Sequence, residues 1–306
     1  MKHFILCISL LATHSVANTY TLSPLSITKD ITCFIGDFNP PTKSNKGFVS
    51  NVCYIDMGDS IVVIDPGPTY LFAKELHQQI QKTHPDKKVS HVIVTNFHDD
   101  RLLGASYFQE IGIKIVGHKT INEDIQKYQG KFERIQKITT KAEYAGTKII
   151  KADTLVDGGY TIKGSRKTLE IIKPSKVSEE RSDIAVYCKE DSFLFAGNII
   201  FNGRMLNYRE ASSINGWIEA LENLKKRKAK YILGGHGKEY DTNSYRFSLE
   251  YLKVLKEDVS SAYKNEIERE DVKKTFRSKA FEKMPYFQQL NSNNINKYYD
   301  QLEWAE

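Results

Sequence analysis

Thr95-Asn96-Phe97-His98-Asp99-Asp100-Arg101-Leu102-Leu103-Gly104-Ala105 is the stretch on which the reading of this chain turns. The run His91-Val92-Ile93-Val94-Thr95 leading into it has the pattern of a buried strand, and a helical pattern begins near Leu102. Loops at strand ends collect functional groups, because the rigid sheet positions them while the loop exposes them. His, Asp, Asp and Arg in four consecutive positions suit a polar pocket as well as they suit a solvated loop. The segment alone does not choose between the two.

Working outward, strands are expected at 31–35, 49–56 and 60–64, the last closing on Asp65-Pro66-Gly67. Leu71, Phe72, Leu76 and Ile80 share one face of a helix over 70–83. Ile113–Val116 reads as a strand and 119–136 as a polar helical stretch. Segments 153–157, 160–163 and 168–173 read as short antiparallel strands punctuated by Asp157-Gly158-Gly159 and Gly164. A hairpin at 184–187 and 193–195, a helix at 213–227, a strand at 231–233 and charged helices from about 243 complete the chain. Strands and helices in two successive halves, without repeat or linker, fit one α/β layered domain (18–242) with a C-terminal helical extension (243–306).

The ends and the composition narrow the class. Met1-Lys2-His3, the apolar run Phe4 to Ala12 and Ser15-Val16-Ala17 have the layout of a secretory signal peptide over 1–17, cleaved before Asn18. An uncleaved anchor or a buried N-terminal helix is the other reading. Export implies a periplasmic or secreted protein in an oxidising compartment. Cys33 and Cys53, in flanking strand-like segments, are then either a disulfide or two packing thiols, with Cys188 left as the odd, buried one. With 15 Phe and 17 Tyr there is ample material for a core, so disorder is excluded. No apolar run approaches the ~20 residues of a membrane span. A net charge of +6, spread along the chain, argues against a nucleic-acid binder.

With these residues in place, the chain resembles the metallo-β-lactamase superfamily. The 95–105 segment is similar to the family's His-x-His-x-Asp-His motif, with equal spacing and the Gly-Ala retained. Asp65-Pro66-Gly67 resembles its Asp-x-Gly, Phe195-Ala196-Gly197-Asn198 its Phe-x-Gly-Asp, and Gly234-Gly235-His236-Gly237 its Pro-Gly-His-Gly. The likeness spans roughly 28–240 and implies a four-layer αβ/βα sandwich. Asn202-Gly203-Arg204, Trp217 and Asn293 to Tyr299 resemble an exported branch linked to sulfur oxidation and quinoprotein systems. That branch implies periplasmic redox or sulfur-oxidation partners. Members of the superfamily bind one or two zinc ions and use metal-bound hydroxide. Imidazoles and carboxylates hold zinc at ~2.0–2.2 Å, and the metal lowers the pKa of its water to about 7.

The departures weigh as much as the matches. Asn96 and Arg101 stand where the motif has its first and last His. The stretch 176–183, where a further His belongs, has none, and Asn198 replaces the bridging Asp. Of six usual ligands the resemblance leaves His98, Asp100 and His236, which could hold one zinc at most, with Glu179, Glu180 or Asp99 as helpers. In the hydrolase reading, metal-activated water attacks an ester, thioester or amide. Asp100, Asn198 and Arg101 then serve catalysis, while Asn96, Arg204 and Tyr208 bind the small-molecule substrate. In the alternative, the protein is a pseudoenzyme: His98, Asp100 and His236 form a metal-free hydrogen-bonded network, and the cleft binds a small molecule or a partner.

Overall fold

A computed structural model of the chain describes residues 19–277 and 279–304; the leader reading at 1–17 lies outside the described residues. Seven strands form the first sheet, in sequence order: β1 (Pro24–Thr28), β2 (Ile31–Phe34), β3 (Val52–Asp56), β4 (Ser60–Ile64), β5 (Lys88–Ile93), β6 (Lys114–His118) and β7 (Thr154–Val156). β1 to β4 pair antiparallel and β4 to β7 parallel. The parallel half requires crossovers. These are α1 (Tyr70–Thr83), then α2 (Asp99–Leu102) with α3 (Ala105–Glu110), then α4 (Ile121–Lys127), α5 (Glu133–Ile138) and α6 (Lys141–Tyr144). α1 starts where Thr69 Oγ1 accepts from the Phe72 amide at 3.1 Å, and it buries Phe72, Ala73, Leu76 and Ile80.

The second sheet runs β12-β11-β10-β9-β8, from β8 (Tyr160–Lys163), β9 (Thr168–Ile172), β10 (Ala185–Cys188), β11 (Phe193–Phe195) and β12 (Tyr231–Leu233). Only β11 and β12 are parallel, joined through α7 (Ile214–Lys225). The helices α8 (Arg246–Lys264), α9 (Arg269–Thr275) and α10 (Phe287–Glu303) follow.

Side-chain alternation sorts the core into three layers. Cys53 and Ile55 of β3 and Val62 and Ile64 of β4 meet Ile171, Val186, Phe193 and Phe195 between the sheets. The opposite faces of β3 and β4, with Val52, Ile61 and Val63, pack on Phe72, Leu76 and Phe108 of the first helical layer. Leu194 and Ile232 cover the outer face of the second sheet together with Trp217, Leu221, Leu252, Leu255 and Ile295. The result is the four-layer αβ/βα sandwich, with α8 to α10 packed on its last layer.

Two expectations are corrected. The 153–157 segment is not antiparallel with its successors; β7 pairs parallel with β6 as the edge of the first sheet, because a helical crossover separates the two. The 119–136 stretch is not one helix. It breaks at a 3-10 turn, Gln129–Phe132, between α4 and α5.

Cys33 lies directly opposite Cys53 across β2 and β3, and the two form a disulfide buried between the sheets. Cys188 is free and buried. The disulfide spans 20 residues of sequence. The Cys33→Ala/Cys53→Ala double variant should therefore still fold but lose about 3 kcal/mol in urea denaturation. An unchanged midpoint and slope would show that the bond does not constrain the unfolded chain.

Candidate functional site

The parallel strands β4, β5, β11 and β12 end at the same edge of the sandwich, so the loops after them, 65–67, 95–101, 197–202 and 234–237, converge. The segment before β10, 178–184, joins them from the opposite direction. Close approach sets the local sequence. A Cβ on Gly235 would lie 2.7 Å from both Asn198 Oδ1 and the Gly197 carbonyl carbon, so only glycine lets the 234–237 turn reach the 197–202 loop. Asn51, just ahead of β3, clasps that turn by donating Nδ2 to the carbonyls of Gly234 (2.9 Å) and Gly237 (2.7 Å).

At the centre of these loops stands Arg101, with no solvent exposure. Its Nη1 donates to Asp65 Oδ2 at 2.8 Å and to Thr95 Oγ1 at 3.2 Å. Its Nη2 donates to Asn198 Oδ1 and lies 3.5 Å from His236 Nε2. Nε makes no hydrogen bond and is 3.7 Å from Asp100 Oδ1. Asp65 takes two further donors, the Thr95 amide and hydroxyl, each at 2.7 Å. Burial pushes the Asp65 carboxyl up to about 6, against the pull of the Arg101 guanidinium. The neighbouring carboxylates Asp65 and Asp100 hold Arg101 protonated.

Asn198 relays this arrangement. With Oδ1 accepting from Arg101, its Nδ2 donates to His98 Nδ1 (3.0 Å) and to Glu179 Oε2 (2.7 Å). The acceptor role fixes the neutral His98 tautomer, whose Nε2–H donates to Glu180 Oε1 at 3.1 Å. Burial, then Arg209 and Arg101, holds the His98 imidazole well below its usual range. His236 donates Nδ1–H to the Val49 carbonyl at 2.8 Å and stacks on Phe201. Its Nε2 is therefore a lone pair, 3.8 Å from Asp100 Oδ2, and burial with Arg204 nearby keeps the ring neutral. Asn96 accepts from the His98 amide at 3.0 Å and donates to Asp183 at 2.9 Å, which binds the 95–101 loop to the 178–184 segment.

Sequence reasoning missed or undervalued four groups. Glu179 and Glu180 are buried, Glu179 pushed up to about 7 by burial, and Glu180 to about 8 by burial and then by Glu179. Arg209 donates Nε to Glu179 Oε1 at 3.1 Å and lies 3.7 Å from Glu180. Asp183 caps the segment, accepting from Ser178 Oγ and the Glu180 amide, each at 2.7 Å. The available signal was position, since Glu179 and Glu180 precede β10 where the resembled motif has a histidine. The Tyr208 ring is buried and its hydroxyl lies within hydrogen-bond distance of the Ser212 carbonyl and Gln301 Oε1, which ties α10 to the core, while the residue borders a cavity beside Glu180 and Arg209. Arg204 does approach the site: its guanidinium lies over Tyr286, and Nε and Nη1 have no hydrogen-bond partner; against burial, Arg101 first and Arg204 more weakly hold the Asp100 carboxyl below its usual range.

Residues 45–236 match the family model described as the metallo-beta-lactamase superfamily. The chain belongs to that superfamily. It is similar to a "Metallo-beta-lactamase type 2" of Elizabethkingia meningoseptica, 23% identical over 67% of this chain and 76% of that protein. A protein of the same description from Bacillus sp. (strain 170) is 24% identical over 77% and 83%. Among solved structures, the metallo-beta-lactamase from Pontibacter korlensis superposes with a TM-score of 0.61 at 19% identity, covering 76% of this chain and 99% of that one. That from Hirschia baltica gives 0.59 at 16% identity, over 76% and 97%. At the level of the superfamily the chain is thus a hydrolase-like protein of this fold.

The superfamily implies zinc, and the residues present do not fit it. His98, Asp100 and His236 do not converge as one ligand set: His98 has both ring nitrogens engaged by Asn198 and Glu180, and the Arg101 guanidinium reaches between Asn198 and His236. Guanidinium has no lone pair to offer a metal and stays charged. Among the described residues no three His, Cys, Asp or Glu side chains form a group that could hold a metal ion. Of the two readings the sequence leaves open, one zinc on His98, Asp100 and His236 or a metal-free network, the zinc reading finds no such ligand group among the described residues.

Two outcomes are expected. Arg101→Leu leaves the Asp65 carboxylate buried without its cation and should cost about 3–5 kcal/mol in urea denaturation. Adding Asp65→Asn should recover part of that loss, and strict additivity of the two variants would refute the pairing. The second concerns pH. Facing Glu179, Arg209, Asp183, Lys131 and His98, Glu180 keeps its proton to about 8 when folded, whereas an ordinary glutamate releases it near 4.5. Its stabilising contribution is complete below that lower value and is lost as pH rises to about 8. Wild-type melting temperature should accordingly fall relative to Glu180→Gln across this window. Parallel curves would place the Glu180 pKa in the ordinary range.

Proposed function

We propose that the protein is an exported, zinc-independent binder of small molecules, a pseudoenzyme on the metallo-beta-lactamase fold. One observation carries this reading: a fully buried arginine, Arg101, joins Asp65, Thr95 and Asn198 at the centre of the cleft. A zinc centre works because an open coordination position generates hydroxide and polarises the scissile bond. The Arg101 guanidinium supplies fixed charge and donors there, but no open position and no bound nucleophile. Asn198 completes the change, because its amide must donate to His98 and Glu179 while accepting from Arg101. The leader-like residues 1–17 and the buried disulfide, a bond that persists in oxidising compartments, support a periplasmic or secreted location.

The test is elemental analysis of protein purified without chelator, followed by zinc titration. Wild type should hold far less than one equivalent of zinc, and His98→Ala and His236→Ala should leave that background unchanged. About one tightly held equivalent, lost in both variants, would overturn the proposal in favour of a mononuclear zinc hydrolase using His98, Asp100 and His236.

A further inference from the structure

A cavity of about 580 Å³ opens beside His98, outside the buried Arg101 cluster, between the 97–99 loop and the turn of α5. Phe97, Phe132 and Ile138 form its apolar wall, and Phe97 stacks on Tyr128 with ring centroids 5.2 Å apart. Four cations line it, Lys131, Arg134, Lys137 and Arg209, against one carboxylate, Asp99. Two of the four are committed. Arg134 is bidentate to Asp99, and Lys137 donates to Glu133 at 3.0 Å.

The other two have donors to spare. Lys131 Nζ sits 4.1 Å from the Tyr128 ring centroid and makes no ion pair among the described residues. Arg209 engages the carboxylates beneath it only through Nε. Lys131 and Arg209 also line an adjoining cavity of about 340 Å³ that reaches Glu180. Asn294 on α10 steadies the loop that carries Arg209, accepting from the Tyr208 amide at 2.8 Å and donating to the Leu206 carbonyl at 3.1 Å.

We propose that this cavity binds a hydrophobic monocarboxylate, its carboxylate held by Lys131 and Arg209 and its ring or chain packed on Phe97, Phe132 and Ile138. A planar monoanion matches the free edge of a guanidinium together with one ammonium, two charge-assisted donors set above an apolar wall. A polyanion would need donors that Asp99 and Glu133 already hold. The volume lies within the range of small-molecule sites. The assignment deepens the ligand-binding reading and rests on it, by naming the ligand class and the place.

Fluorescence titration of the full chain with 2-naphthoate in the presence of EDTA tests this, with neutral 2-naphthamide as the isosteric control. Saturable one-to-one binding of the acid is expected, about tenfold weaker for the amide, as for the loss of one charge-assisted contact. The exposed Lys131→Gln variant should lower acid affinity by a similar factor and leave amide affinity unchanged, so that the acid-to-amide ratio collapses. No saturable binding by a protein that also binds no zinc would overturn the pocket assignment alone, as would equal affinities for acid and amide or an unchanged ratio in Lys131→Gln. Acid binding that is lost in EDTA and restored by zinc would instead overturn the metal-free reading beneath it.

Discussion

A buried guanidinium sets the conditions for everything around it. Taking a charged side chain such as Arg101 fully out of water costs several kcal/mol unless its partners compensate. They are supplied in a fixed plane: Asp65 on one edge with Thr95 behind it, Asn198 on the other, and Asp100 facing the unbonded Nε. Opposite charges about 4 Å apart interact with about 4 kcal/mol at an effective dielectric of 20. Asp65 is buried as well and bears its own penalty, so the Thr95 and Asn198 hydrogen bonds are needed beside the Asp65 contact. The cation that organises these loops is covalently part of one of them.

The identity of Asn198 then follows from its neighbours. An aspartate at this position would satisfy Arg101 but would have no hydrogen to offer His98, and it would set a second carboxylate against Glu179, now 2.7 Å from the amide nitrogen. With the amide in place, His98 is held as one neutral tautomer and passes its proton side to Glu180. Glu179 and Glu180, too close to ionise freely together in a buried site, are balanced by Arg209. The chain of dependence runs from Arg101 through Asn198 to His98 and the glutamate pair, and it ends at the wall of the cavity that Arg209 lines.

Much of this was readable in the sequence, and the rest was not for identifiable reasons. Strand patterns such as 60–64 and 91–95, alternating with helical patterns such as 70–83, report burial directly, so the layered fold was legible. The pairing of β7 was not, because a three-residue strand between helix and turn carries no signal of direction. The resemblance to the superfamily implied that Asn96, His98, Asp100, Arg101, Asn198 and His236 share one neighbourhood. It could not say which of them would touch. An arginine at position 101 reads equally as a charge beside a metal or as the cation at the centre, and only its complete burial against Asp65 and Asn198 decides. Tyr208 and Arg209 show the same limit: adjacent in sequence, one turns into the core on Ser212 and Gln301, and the other faces the cavity.

An arginine and a metal ion offer a cleft different kinds of chemistry. A metal ion presents an empty coordination position that can be filled by water, substrate or product in turn. A guanidinium presents hydrogens in a plane, and in Arg101 four of its five donor directions meet protein groups or a histidine lone pair. Arg101 Nε, and Nε and Nη1 of Arg204, remain without a hydrogen-bond partner, as does the Ser182 hydroxyl. The acceptors face fixed cations: Asp100 lies among Arg101, Arg134 and Arg204, and Arg101 Nη2 approaches His236 Nε2 at 3.5 Å. Surplus donors at Arg101 and Arg204 favour an anion in the proposed binding cleft, and the cations around Phe97 and Phe132 extend that preference outward to the surface.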